Sequence, residues 1–183
     1  MSPYFYALAN LGATMATPKT YKNPTAGTPL ISTISSGCKT PIIEIKFSNL
    51  IKPFYYPNSP TIPRYSITCV FDPVSAKEFL KGIQTIEKNE QVDSIIKNDT
   101  IKQDGELVTS GLVLIKFQNK DKIPVFIKSK SGEIEPIELE DELARGEDVI
   151  VTFDILRYTK KNTMKTEHGL SFKPIQITLL AKE

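Results

Sequence analysis

Six stretches of this 183-residue chain set a cation beside a flat ring: Lys52-Pro53-Phe54-Tyr55-Tyr56, Arg64-Tyr65, Lys116-Phe117, Phe126-Ile127-Lys128, Arg157-Tyr158-Thr159-Lys160-Lys161 and Phe172-Lys173. That pairing suits single-stranded nucleic acid. Cations follow the phosphates, and rings stack on unpaired bases at roughly 1–3 kcal/mol each. Neighbours along a strand point to opposite faces, so a cation and the ring next to it do not act as one unit. With no Trp, the nine Phe and seven Tyr must also fill the core, and Phe71, Phe79 and Phe153 read as internal. Lys116, Lys128, Arg157, Lys160, Lys161 and Lys173 are the phosphate candidates, with Arg64 beside them. Tyr65, Tyr158 and Phe172 are the stacking candidates, and the Phe54-Tyr55-Tyr56 loop stands behind them.

Other chemistry is thinly represented. Lys102-Gln103-Asp104-Gly105 matches the Lys-x-Asp-Gly string that carries the adenylated lysine of nucleotide-transfer enzymes. The chain is too short for such a catalytic domain plus a barrel, and Asp-Gly after a polar run is a turn signal. The two cysteines, Cys38 and Cys69, lack metal-type spacing, and a single histidine, His168, leaves few routes to a zinc site or a Ser-His-Asp triad. Glu138, Glu140, Asp141 and Glu142 lack the ordered spacing and glycine of a calcium loop, so they read as a solvated acidic turn. Asn98-Asp99-Thr100 is a glycosylation sequon in form only. No catalytic residue, metal or cofactor is expected.

The elements that must position the candidates follow from composition and periodicity. An apolar fraction of 40% and a charged fraction of 24% describe a folded protein rather than a disordered or membrane one. No apolar run approaches the roughly 18 residues of a spanning helix. The amino terminus has no basic region before its short apolar stretch, so no secretory signal is expected; the protein reads as cytoplasmic with reduced thiols. Net charge is only +2, but it is unevenly spread. Residues 1–71 hold six Lys/Arg against one acid, residues 72–150 eleven against seventeen, and residues 151–183 six against three. An acidic middle between basic ends suits a polyanion on one side only.

Residues 1–40 form a Ser/Thr/Pro/Ala-rich arm, with Tyr4, Phe5, Tyr6, Leu8 and Leu11 needing cover, and residues 41–183 form the nucleic-acid-binding domain. Ile43, Ile45 and Phe47 alternate with polar residues as one face of a strand. The four prolines of residues 53–63 stiffen an extended loop. Arg64 to Phe71 is the next strand. Asp72 then caps a helix opened by Pro73, with Phe79, Leu80, Ile83 and Ile86 on its apolar face and a weaker continuation through Val92, Ile95 and Ile96. Residues 97–110 read as a polar connection. Leu112 to Gln118 and Pro124 to Lys128 read as a hairpin, residues 129–132 as a turn, Leu139 to Arg145 as a short helical turn, and Asp148 to Tyr158 and Leu170 to Leu180 as closing strands. This mainly β pattern with one long helix and about six strands points to a partly closed antiparallel OB-like barrel.

From Pro63 onward the order of segments resembles the OB-fold single-stranded-DNA-binding proteins of tailed bacteriophages. The resemblance rests on Arg64-Tyr65-Ser66-Ile67-Thr68 leading into Phe71-Asp72-Pro73, then Ile123-Pro124-Val125-Phe126, Arg145-Gly146-Glu147-Asp148-Val149, and Gly169-Leu170-Ser171-Phe172-Lys173-Pro174-Ile175-Gln176. It implies a non-enzymatic, sequence-tolerant protein that coats replication or recombination intermediates in the host-cell cytoplasm. Its implied partners are single-stranded DNA and replication proteins; the arm, which lies outside the resemblance, points by its uncovered apolar residues to docking on a second copy of the chain. Members of that family commonly end in an acidic recruiting tail, whereas this chain ends Leu179-Leu180-Ala181-Lys182-Glu183, so recruitment by that route is not expected. The competing expectation is a structural or assembly β-protein of a virion, for which the aromatic arm would be the contact.

Overall fold

The computed structural model describes residues 30–87, 96–161 and 166–182. Strands β8 (Asp148–Lys161) and β9 (Thr166–Leu180) form the longest ladder, from Val149 opposite Leu179 to Lys161 opposite Thr166. Val149, Val151, Phe153 and Ile155 alternate inward and are fully buried, the period-2 burial expected of a strand with one face on a core. One extra residue on β9, Ile175, falls at a break in the register and is pushed to the surface.

On the other edge of β8 lie two strands in succession. β1 (Leu30–Lys39) pairs with Thr152 to Thr159, and the first residues of β2 (Ile43–Tyr56) pair with Asp148 and Val149. Residues 30–39 are therefore sheet, so a free arm would shorten to residues 1–29, which with their aromatics lie outside the described residues. β2 then leaves β8 for β3 (Ser59–Phe71), β3 pairs with β5 (Glu106–Asn119), and β5 pairs with β4 (Ile96–Gln103). At the far edge, β6 (Val125–Lys128) runs parallel to β9 and carries β7 (Ile134–Ile137). The sheet order is β4-β5-β3-β2-β8-β9-β6-β7, with β1 on β8 off this path, and no ladder among the described residues closes it. β5 nevertheless packs against β9, where Asn119 Nδ2 donates to Pro174 O at 3.0 Å.

Helix α1 (Pro73–Glu87) starts where Asp72 and Pro73 predict. Asp72 accepts from the Ser75 amide at 2.9 Å and from the Ser75 hydroxyl, and Pro73 loses no hydrogen bond at the first helical position. The helix inserts Phe79 between Phe71, Phe153 and Phe172, with ring centroids 5.4, 6.0 and 6.2 Å away. Phe117 completes the cluster, 5.0 Å from Phe153 and 5.5 Å from Phe172. Val92 and Ile95 lie outside the described residues, and Ile96 opens β4 rather than continuing the helix.

Several expectations are corrected. The described residues hold nine strands, not six. Residues 53–63 are the arms of the β2–β3 hairpin, turning at Pro57-Asn58, because the ladder slips between Asn49 and Phe54 and again before Tyr56. Such irregular positions tolerate a residue with no donor. Residues 97–110 are a second hairpin, turned by Asp104 (φ 51°) and Gly105 (φ 86°), the positive pair that a tight two-residue hairpin requires. Leu112–Gln118 does not pair with Pro124–Lys128: the first lies on β3 and the second on β9. Residues 139–145 form an irregular loop rather than a helical turn.

Candidate nucleic-acid interface

β2, β3 and β5 share an outer face opposite the core. Ile67, Cys69 and Phe71 of β3 and Ile115 and Phe117 of β5 point inward, so Ser66, Thr68, Lys116 and Gln118 point outward. Register builds the face in rows: Phe47, Thr68 and Lys116 form one, Asn49, Ser66 and Gln118 the next, and Phe54 stands opposite Arg64 beyond them. Phe47 reaches this face because the β2–β3 register shifts between Ile45 and Phe47. The strict alternation that would have made it core is broken there, and its ring is 49% exposed.

The tip of the β2–β3 hairpin folds its rings over this face. Lys116 Nζ lies 4.0 Å from the centre of the Phe54 ring and 5.8 Å from that of Tyr56, the geometry of a cation–π contact. Phe54 and Tyr56 meet edge to face at 5.1 Å, and Tyr56 OH donates to Gln118 Oε1 at 3.1 Å. Tyr55 is exposed beside them. Burial, together with the charge of Lys97, lowers the pKa of the Lys116 ammonium.

A carboxylate fixes the base of that tip. Between Asn49 and Phe54, β2 advances five residues while β3 advances two, which takes the intervening amides out of the ladder. Glu142 accepts from the amides of Leu50, Ile51 and Lys52 at 2.6, 2.7 and 3.0 Å and from Ser48 Oγ at 2.8 Å. Burial opposes its charge, but the Leu50, Lys52 and Ile51 amides and the Ser48 hydroxyl prevail, and its pKa is lowered. A solvated acidic turn was expected here; the structure gives one of its acids a structural duty. Nearer the start of β2, Lys46 pairs with buried Asp99 at 3.0 Å, and Ser110 Oγ donates to the same carboxylate at 2.9 Å.

Of the residues singled out from sequence, Arg64 and Lys116 come together around Phe54. Tyr65 points the other way and packs on the core. Phe172 is 1% exposed inside the aromatic cluster, which removes it as a stacking residue: a base reaching it would have to open the core. Arg157, Tyr158 and Lys173 belong to the β8–β9 ladder. The Tyr158 ring, 36% exposed, lies across its ladder partner Gly169, where an added Cβ would fall 2.1 Å from Tyr158 Cζ; only glycine leaves room for that ring. Lys173 stands opposite Asp154 in that ladder, and the Asp154 carboxylate accepts from the Gly37 amide at 3.0 Å. Lys128 ends β6, on the far side of β9. Lys160 and Lys161 occupy the end of β8, and their side chains lie outside the described residues. Phe47, Gln118 and Asn49 escaped sequence reasoning; the bulge at Lys46 that exposes Phe47 leaves no signature in residue periodicity.

No family model matches the chain, and no curated protein matches it in sequence. Its likeness is in shape. The C-terminally truncated single-stranded DNA-binding protein from bacteriophage Enc34 superposes with a TM-score of 0.52 at 14% identity, covering 92% of this chain and 98% of that one. The chain shares that protein's fold. The Enc34 protein in complex with single-stranded DNA gives a TM-score of 0.51 at 14% identity, covering 91% and 97%. The likeness to the Enc34 protein thus spans nearly all of both chains, whereas the sequence resemblance begins at Pro63. Among the described residues no helix is long and apolar enough to cross a membrane.

Proposed function

We propose that this chain is an OB-like protein that binds single-stranded DNA without catalysis and coats replication or recombination intermediates in the cytoplasm of a phage host. The observation that carries the reading is the outer face of β2, β3 and β5, where Phe54 and Tyr56 lie against Lys116 and exposed Phe47 stands in the same row beyond Thr68. OB folds bind oligonucleotides across their second and third strands and the adjoining loops. With β1 and β2 taken as one bent first strand, β3 and β5 fill those places, and the seam between β5 and β9 is bridged by side chains. The fold shared with the single-stranded DNA-binding protein of bacteriophage Enc34 supports the same reading.

Rings stack on bases while Lys116 and Arg64 meet phosphates, so base identity is largely unread. Arg157, Tyr158, Lys160 and Lys161 at the end of β8 extend the path, and Lys128 and Lys173 are outlying phosphate contacts. Residues 1–29 serve self-association, and replication proteins are further partners. Fluorescence anisotropy with labelled oligo(dT) and with duplex of equal length tests the proposal. The protein binds oligo(dT) far more tightly, with a log–log salt slope of about −0.7 per phosphate contacted. Equal affinity for duplex, or binding that ignores salt, refutes it.

A further inference from the structure

The outer face has a polar floor whose burial stacking alone does not explain. Ser66 and Thr68 point away from the core, yet they are 0% and 4% exposed. Phe47 and Asn49 border them on β2, and Lys116 and Gln118 on β5. Ser66 Oγ accepts from Asn49 Nδ2 at 3.4 Å, and Gln118 Oε1 accepts from Tyr56 OH at 3.1 Å. Each amide spends one atom in these bonds, which leaves the Asn49 oxygen to accept and the Gln118 nitrogen to donate. Ser66 lies between these amides; in the adjoining row, between Phe47 and Lys116, Thr68 Oγ1 is buried with no hydrogen-bond partner among the described residues. A hydroxyl in that state costs free energy until something supplies a partner.

We infer that this floor binds the hydrogen-bonding edge of one nucleobase, so that at a single position along the strand the protein reads an edge as well as a face. The inference rests on the DNA-binding reading above. A base stacked on the exposed Phe47 ring brings its edge over Thr68, which stands directly opposite Phe47 on the outer face, and meets the hydroxyl by displacing the surface side chains that cover it rather than by opening the core. The hydroxyl donates or accepts as the base requires, and the Asn49 and Gln118 amides of the adjoining row supply one acceptor and one donor. Such a set accepts any of the four bases, which keeps binding sequence-tolerant, but it rejects a base whose edge is blocked.

The probe is a thymidine oligomer in which every base is N3-methylated, compared with unmodified oligo(dT). Methylation removes the ring N–H and leaves the stacking face and the phosphates intact. The parent protein prefers oligo(dT) by about tenfold. In Thr68→Val, which keeps the shape and loses the hydroxyl, that preference shrinks below about threefold with the salt slope unchanged; Thr68→Ser restores it. Equal binding of both oligomers by the parent, or a preference that survives intact in Thr68→Val, overturns the inference and leaves a surface that only stacks. No binding of either oligomer defeats the DNA-binding reading itself.

Discussion

Replacing Glu142 by Ala removes the acceptor for three main-chain donors and one hydroxyl. The three amides belong to the β2 segment that has outrun β3, so no strand partner replaces the carboxylate. Hydrogen bonds of this kind contribute about 1 kcal/mol each, more when one partner is charged. Glu142 is partly solvated, and water takes up some of the freed donors, so the expected loss is roughly 2–3 kcal/mol rather than the full sum. For a chain of this size that corresponds to about 5–10 °C in Tm, read by thermal denaturation followed by circular dichroism. Glu142→Gln keeps one acceptor oxygen and turns an amide NH2 toward the same donors, so it loses roughly half as much. The latch also sets the base of the Phe54–Tyr56 tip, so Glu142→Ala weakens oligo(dT) binding at temperatures where the protein is still folded. A Tm within 1 °C of the parent refutes the assignment.

Acid should act through the same group. The pKa values of Glu142, Asp72 and Asp99 are all lowered: Glu142 by its amide donors against burial, Asp72 by the Ser75 hydroxyl and amide, and Asp99 by Lys46 with Ser110 against burial. Their stabilisation is complete above the ordinary carboxylate values of 3.8 and 4.5 and is lost as pH falls through the lower folded values; urea midpoints therefore drop below about pH 4.5, less steeply in Glu142→Gln. Phe172→Ala costs about 3–5 kcal/mol as a core cavity, while Phe172→Leu remains folded and binds oligo(dT) like the parent; selective loss of binding in Phe172→Leu returns that ring to the interface. Lys160→Ala with Lys161→Ala flattens the salt slope, whereas Tyr158→Ala weakens binding equally at every salt concentration. If both variants bind like the parent, the end of β8 lies off the DNA path.

Local chemistry made part of this legible. The Asp72-Pro73 helix start, the inward alternation of Val149 to Ile155 and the Asp104-Gly105 turn each state their conformation in a few neighbouring residues. What failed depends on partners far along the chain. Phe47 reads as core until the slip beside Lys46 turns it outward, and a slip is a property of two strands together. The prolines of residues 53–63 argue against paired strands, and only an irregular ladder accommodates them. Glu142 is one acid among several in its loop; its amide partners lie about ninety residues earlier. Phe172-Lys173 illustrates the opposite error, since a cation beside a ring looks the same in sequence whether the ring faces solvent or, as here, the core.

The central claim is that single-stranded DNA lies on the outer face of β2, β3 and β5 around Lys116. Its most direct test is the oligo(dT) affinity of the double variant Phe54→Ala with Tyr56→Ala, measured across a salt series beside the parent and Lys128→Ala, with folding checked by circular dichroism. Two stacking rings at roughly 1–3 kcal/mol each predict a loss of at least about tenfold at every salt concentration with the slope preserved, whereas Lys128→Ala, at the far edge of the sheet, changes affinity by less than about threefold. A folded double variant that binds like the parent contradicts the claim.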